Sequence, residues 1–165
     1  QSPRVALANI GTEDSKGDRL RHEAFDLLKD TKEINFIGNV ETRDVPYGCC
    51  DVLVADGFTG NIILKLYEGV AGAMMANIKN IFKKSSITML AAMMVKGGLL
   101  GLKMRMDYSE FGGAPLLGVN GVVIKAHGSS DAKAIRNAIR QAKTCAEKNI
   151  VGTIAQSVKE AADAE

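Results

Sequence analysis

Apolar runs in the first third of the chain are short and end in glycine or polar residues. Residues 4 to 10 (RVALANI) are a mostly apolar run closed by Gly11, the pattern of a parallel strand buried on both faces. Polar residues 12 to 19 read as a loop. Residues 19 to 30 switch to a helical period, with Leu20, Ala24, Leu27 and Leu28 on one side. Residues 34 to 40 (INFIGNV) and 51 to 55 (DVLVA) predict a second and a third strand, and the segment between them shows no evident helix. Strands separated by helices and loops predict an α/β sheet.

The second half is more helical. A helix is predicted from Gly60 to about Phe82, because Ile63, Tyr67, Val70, Met74, Ile78 and Ile81 keep the 3.6-residue period. Residues 85 to 106 (SSITMLAAMMVKGGLLGLKMRM) are rich in Met and Leu, and Gly97-Gly98 is expected to divide them into two short helices, an amphipathic hairpin. The segment is too short and too interrupted to span a bilayer. Two apolar runs then flank Asn120-Gly121, a hairpin signal. Ser129 or Ser130 is expected to cap a long helix that carries Ile135, Ala138, Ile139, Ala142, Cys145 and Ala146 on one face and ends near Asn149. Val151, Ile154, Ala155, Val158 and Ala162 predict a last amphipathic helix. There is no internal repeat.

Composition narrows the function classes. With 165 residues the chain suffices for one domain of ordinary size, and a formal charge of +2 does not argue for a nucleic-acid partner. Aromatic residues make up 5% and Trp is absent, so stacking platforms for bases are not expected. Cys49, Cys50 and Cys145 do not form a disulfide framework, which suggests a reducing cytoplasm, and Cys145 reads as a buried thiol on a helical stripe. The chain enters core almost from Gln1, so the sequence reads as the carboxy-terminal part of a longer protein.

In parallel α/β sheets, ligands bind where strands end and helices begin. Those ends read NIGTE (9 to 13), GNVE (38 to 41), ADGFTGN (55 to 61) and KAHGSSD (125 to 131), each with a glycine and at least one Asn, Asp or His. The repetition is the signal. Taken singly, DGFTGN is equally a turn with a Thr or Asn cap. His127 is either a hydrogen-bonded structural histidine or a crevice group beside helix N–H groups able to hold an anion. His22 reads as a surface residue of the first helix. Ser129, His127 and Asp131 are too crowded to face one another as a triad. No His/Cys cluster has metal-ligand spacing, and no phosphate-cradling glycine motif occurs.

In that order, NIGTE, NFIGNVE, DVLVADGFTGNIILK, DYSEFGGAPLLG and VIKAHGSSDAKAIRNAIRQA resemble the carboxy-terminal half of the bacterial fatty acid/phospholipid synthesis phosphate acyltransferase family, from about Arg4 to Ala142. The resemblance implies a three-layer α/β/α fold with a mostly parallel sheet, like that of phosphate acetyltransferases and isocitrate dehydrogenase, in a homodimer. It also implies transfer of a fatty acyl group from acyl carrier protein to inorganic phosphate, giving acyl phosphate for phospholipid synthesis without a cofactor. A coenzyme A-dependent phosphate acyltransferase and a non-catalytic membrane- or carrier-docking fragment are the alternatives. DGFTGN is similar to an Asp-x-x-Thr-Gly-Asn stretch of phosphate acetyltransferases, which points to Asp56, Thr59, Gly60 and Asn61, and AHGSS stands where those enzymes keep an Arg-Gly pair that binds phosphate. On this reading Asn61 contacts phosphate or the oxyanion. His127, with Gly128, Ser129 and Ser130, binds phosphate or protonates the departing thiolate. Lys65 adds positive charge. Asn9, Glu13, Asn39 and Glu41 are further candidates. The family's amino-terminal half would supply the opposing wall of the cleft. Residues 85 to 106 carry a separate expectation: either a dimer contact or a peripheral membrane anchor. In the latter, Met93, Met94, Leu99 and Leu100 enter the interface, and Lys83, Lys84, Lys96, Lys103 and Arg105 meet anionic head groups.

Overall fold

The computed structural model of the chain describes residues 2–106 and 110–163, with backbone alone at positions 103, 105 and 106. Two compact units divide it, Gln1–Ala73 and Met74–Glu165.

The first unit is built on a parallel sheet. Strand β1 (Arg4–Asn9) is central, between β2 (Asn35–Glu41) and β3 (Val52–Val54), giving the order β2-β1-β3. Val5 to Ala8 are all buried, as a strand covered on both faces requires. Arg4 fastens the start of the sheet: its N–H donates to Asp51 Oδ2 at 2.8 Å, its guanidinium meets Oδ1 at 3.0 Å, and its carbonyl accepts from Asp51 N–H. The β1–β2 register shifts between Val5 and Leu7, where Gly38 takes φ +94° and supplies the extra residue of a bulge. That kink leaves Asn39 and Val40 buried in succession, and the Asn39 amide donates to Glu13 O at 3.0 Å in the loop after β1.

Helix α1 (Arg19–Asp30) follows, capped by Asp18, whose Oδ1 accepts from Arg21 N–H at 3.0 Å. Its inward face differs from the expected one. Phe25 is buried against Phe36, edge to face at 5.3 Å, whereas Leu20 and Leu27 are exposed. Burying the Phe25 ring secures more apolar area than either leucine would, and this sets the helix rotation. The β2–β3 connection holds a short 3-10 helix, Thr42–Tyr47.

Helix α2 (Gly57–Phe82) starts three residues earlier than expected, because Asp56 supplies the cap. Helix α3 (Ser86–Met106) is one helix, not two: Gly97 and Gly98 keep negative φ, and the Ala, Leu, Met and Lys residues around them outweigh their helix cost of about 1 kcal/mol each. Ser85 and Thr88 cap it reciprocally, Ser85 N–H donating to Thr88 Oγ1 and Thr88 N–H to Ser85 Oγ. Apolar residues lie all around α3, and Leu99 is half-buried in a groove between Met75, Ile78 and Phe82 of α2 and Met89 and Met93 of α3. Met93, Met94 and Leu100 are exposed.

A two-residue ladder, β4 (Ala114–Pro115) with β5 (Ile124–Lys125), forms the expected hairpin with a long loop, and Leu116 N–H donates to Val123 O. Helix α4 (Ala132–Glu147) is capped by Asp131, not by a serine, through a bond of 2.8 Å from Ala134 N–H. Ala134, Asn137 and Ala138 are buried, Ile135 and Ile139 are exposed, and Cys145 is half-buried, so α4 is rotated from the expected stripe. Asn149, at φ 48°, turns the chain into α5 (Ile150–Ala162). The fold class is α/β, consistent with an α/β/α architecture. Among the described residues no helix is long and apolar enough to cross a membrane.

Candidate functional site

The chain leaves β1 for one neighbour, β2, and then passes to the other, β3. A crevice therefore opens outside the carboxyl end of β1, where the two connections diverge. Its volume is about 780 Å³, and Asn9, Asp18, Arg21, Glu41, Arg43 and Thr59 line it with Ile10, Ile62, Ile63 and Leu66. That size is ordinary for a small-molecule site.

Asn9 and Asn39 are buried, and their amides hold the β1–α1 loop: Asn9 Nδ2 donates to Lys16 O at 3.0 Å, and Asn9 Oδ1 accepts from Ile10 N–H at 2.8 Å. Asn39 Oδ1 is buried without a hydrogen-bond partner among the described residues. Glu13 is exposed in that loop. Glu41, at the end of β2, pairs with Arg43 Nε at 2.7 Å.

Asp56 begins α2. Its Oδ1 accepts from Phe58 N–H and Thr59 N–H, both at 3.0 Å, and its carbonyl accepts from Gly60 N–H at 2.8 Å. Its Oδ2 meets Arg21 Nη2, which also donates to Thr59 Oγ1 at 2.6 Å, while Arg21 Nη1 donates to Asp18 Oδ2 at 2.9 Å. Hydrogen bonds from the Thr59 hydroxyl and N–H, with the Arg21 charge and the Phe58 N–H, hold the Asp56 carboxyl down at about 2. Asp56 is thus a fixed anion and a helix cap. Asn61 stands exposed one residue beyond Gly60, and Lys65, exposed a turn later, lies 3.6 Å from Glu68.

Arg21 is a site residue that the sequence pattern does not single out; it stands beside His22, which is exposed as expected. The available signal was its spacing: Arg21, Ala24, Phe25 and Leu28 share one helical face, and Asp18 lies a turn before it.

In the second unit, His127 and Gly128 to Ser130 form a turn that ends before α4, so these amides precede the helix rather than open it. Two are used inside the turn: Ser130 N–H donates to His127 O at 3.1 Å and Ser129 N–H to His127 Nδ1 at 3.2 Å. Ser129 Oγ lies 2.6 Å from the same Nδ1. Accepting at Nδ1 assigns the ring proton to Nε2, so His127 is arranged as an Nε2–H donor. Asp131 spends its carboxylate on the α4 cap and so is not the group that orients the imidazole in a triad. Ser130 Oγ is buried with no partner among the described residues. Asp107 to Ser109, the start of DYSEFGGA, lie outside the described residues, as do the side chains of Lys103 and Arg105. No group of three His, Cys, Asp or Glu among the described residues could hold a metal ion.

The chain is similar to proteins from several bacteria. It is 53% identical over 159 residues to a phosphate acyltransferase of Lysinibacillus sphaericus, covering 96% of this chain and 48% of that protein. It is 50% identical over 157 residues to one of Clostridium perfringens, covering 95% and 46%, and 48% identical over 163 residues to one of Thermoanaerobacter pseudethanolicus, covering 99% and 49%. The chain thus spans about half the length of the curated relatives it matches. The family described as fatty acid synthesis protein matches residues 1–153. With nine-tenths of its length inside that match, the chain belongs to the fatty acid synthesis protein family.

Proposed function

We propose that this chain is half of a phosphate acyltransferase that moves a fatty acyl group from acyl carrier protein to inorganic phosphate, yielding acyl phosphate for phospholipid synthesis. The observation that carries the reading is identity near one-half, over almost the whole chain, to proteins bearing the name phosphate acyltransferase. The chemistry asks little covalent help of the protein. A phosphate oxygen attacks the thioester carbonyl carbon, the C–S bond breaks, and the thiolate leaves and takes a proton. The protein must hold phosphate against the carbonyl and stabilise the oxyanion. Asn61, exposed just past the first turn of α2, offers an amide for that oxyanion, and Lys65 adds positive charge nearby. His127, as an Nε2–H donor, suits a phosphate oxygen, and in its protonated form it suits the departing sulfur. Gly60, Gly128, Ser129 and Ser130 shape the backbone at these two sites.

Two further parts belong to the same reading. The many exposed apolar residues of α2, such as Leu64, Leu66 and Val70, exceed what a lone chain usually leaves to water, which supports a homodimer. Exposed Met93, Met94 and Leu100 of α3, with Lys83, Lys84 and Lys96, support peripheral membrane contact in the cytoplasm.

The test is phosphate-dependent loss of thioester from acyl carrier protein, measured on this chain and on the chain extended to the length of its relatives. The extended protein should release free carrier thiol only when phosphate is present, and faster from acyl carrier protein than from acyl coenzyme A. Thioester loss that ignores phosphate would overturn the reaction, and preference for the coenzyme A thioester would overturn the donor.

A further inference from the structure

Arg21 joins the start of α1 to the start of α2. It lines the crevice with its side chain about one-fifth exposed, yet its charge is already spent. One terminal nitrogen is held by Asp18, and the other by Asp56 and Thr59. Two carboxylates (Asp18, Glu41) and two guanidiniums (Arg21, Arg43) line the crevice, Arg43 is itself paired with Glu41, and Asp56 adds a third carboxylate against Arg21. A phosphate seated on Arg21 would have to displace carboxylates from a part-buried cation, and no excess of positive charge rewards the exchange.

The alternative follows from the geometry of Asp56. Its Oδ1 caps α2, but a carboxylate fixed by one oxygen can still swing about its side-chain bonds. Arg21 takes the other oxygen and, with the same nitrogen, the Thr59 hydroxyl. A planar guanidinium makes this a rigid fastening, which a flexible ammonium cannot copy. We infer that Arg21 is a positioning residue: by holding Asp56 and Thr59 together it fixes the first turn of α2, and thereby Asn61, in the geometry that acyl transfer needs. The part concerning catalysis rests on the acyl-transfer reading above; the fastening of the turn does not.

The test uses the protein extended to the length of its relatives, with two readouts. In steady-state kinetics, Arg21→Ala should lower kcat about 10- to 100-fold while the phosphate KM changes by less than about threefold, and Arg21→Lys should not restore kcat. A tenfold rise in phosphate KM at unchanged kcat would instead make Arg21 a phosphate ligand and overturn the inference. The second readout needs no turnover, so it stands even if the acyl-transfer reading fails. Amide hydrogen exchange at Gly60 and Asn61 should quicken about tenfold in Arg21→Ala, with β1 unchanged. Unchanged exchange at those two amides overturns the fastening. Should Arg21→Ala loosen the whole unit, Arg21→Lys carries the test, since it keeps the charge and the apolar stem and loses only the planar fork that joins Asp56 to Thr59. It should quicken the same amides alone, and no change there would refute the inference.

Discussion

Replacing Gly17 by Ala tests the join between fold and crevice. Gly17 has φ +100°, a conformation that costs a residue with a side chain about 1–2 kcal/mol. The added Cβ would also lie 2.8 Å from Asn9 Oδ1 and 2.8 Å from Arg21 Cβ. Neither neighbour yields cheaply. Asn9 is buried and spends both amide atoms on the loop, accepting from Ile10 N–H and donating to Lys16 O. Turning it aside leaves buried polar groups unpaired, at about 1–3 kcal/mol. Moving Arg21 disturbs its bonds to Asp18, Asp56 and Thr59. The expected loss is about 2–5 kcal/mol, a large part of the roughly 5–15 kcal/mol a domain possesses. Urea unfolding followed by far-ultraviolet circular dichroism measures it. The internal control is Gly69→Ala, on a part of α2 where an added Cβ meets nothing within 4 Å. In a helix interior that change should stabilise by about 0.5–1 kcal/mol. If Gly17→Ala falls within about 0.5 kcal/mol of the Gly69→Ala variant, the close approach of loop, Asn9 and Arg21 is not what holds this end of the sheet.

Phe25→Ala should cost about 3–5 kcal/mol by the same measurement, since Phe25 is buried and stacks edge to face on Phe36, whereas Leu27→Ala, at an exposed site, should cost well under 1 kcal/mol. The Asp56 carboxyl is held at about 2 in the folded chain, below its ordinary value of 3.8, so the folded state binds this proton less readily than the unfolded chain does. Its stabilising effect is therefore complete above pH 3.8 and lost as the pH falls from there through about 2; Asp56→Asn should flatten the unfolding midpoint across that window, and an unchanged slope would count against the assignment. Flotation with anionic vesicles should carry the protein upward, and replacing Met94 and Leu100 by Glu should release it, each nearby lysine contributing about 1 kcal/mol to the attraction. If the protein proves dimeric and the substitutions dissociate it while vesicle binding stays intact, α3 is a dimer contact and not an anchor.

What could be read from the residues, and what could not, divides by the range of the interaction involved. β1, β2, β3 and α1 fall within a residue or two of their expected bounds, because each is specified by neighbours: an apolar run, a terminating glycine, a capping aspartate. Of the polar strand ends, Asn9, Glu41 and Thr59 line the crevice, whereas the His127 turn belongs to the second unit. Caps were ambiguous where several good cap residues stand in a row. Ser129, Ser130 and Asp131 can all cap, and only the backbone path, bent by the bonds within the His127 turn, selects Asp131. Asp56 prevails over Thr59 and Asn61 for a related reason, since Arg21 holds its second oxygen. That bond joins residues 35 positions apart, and nothing local in either segment announces it. A lone arginine on a helix reads as a solvated surface charge by default; it becomes a fastening only when β1 and β3 bring α1 and α2 to the same end of the sheet. The rotation of α1 was hidden in the same way, because leucines at 20, 27 and 28 outvote one phenylalanine until Phe36 arrives from β2. The local patterns thus delimit where chemistry can sit, and contacts between distant segments decide which side chains at that place remain available to a substrate.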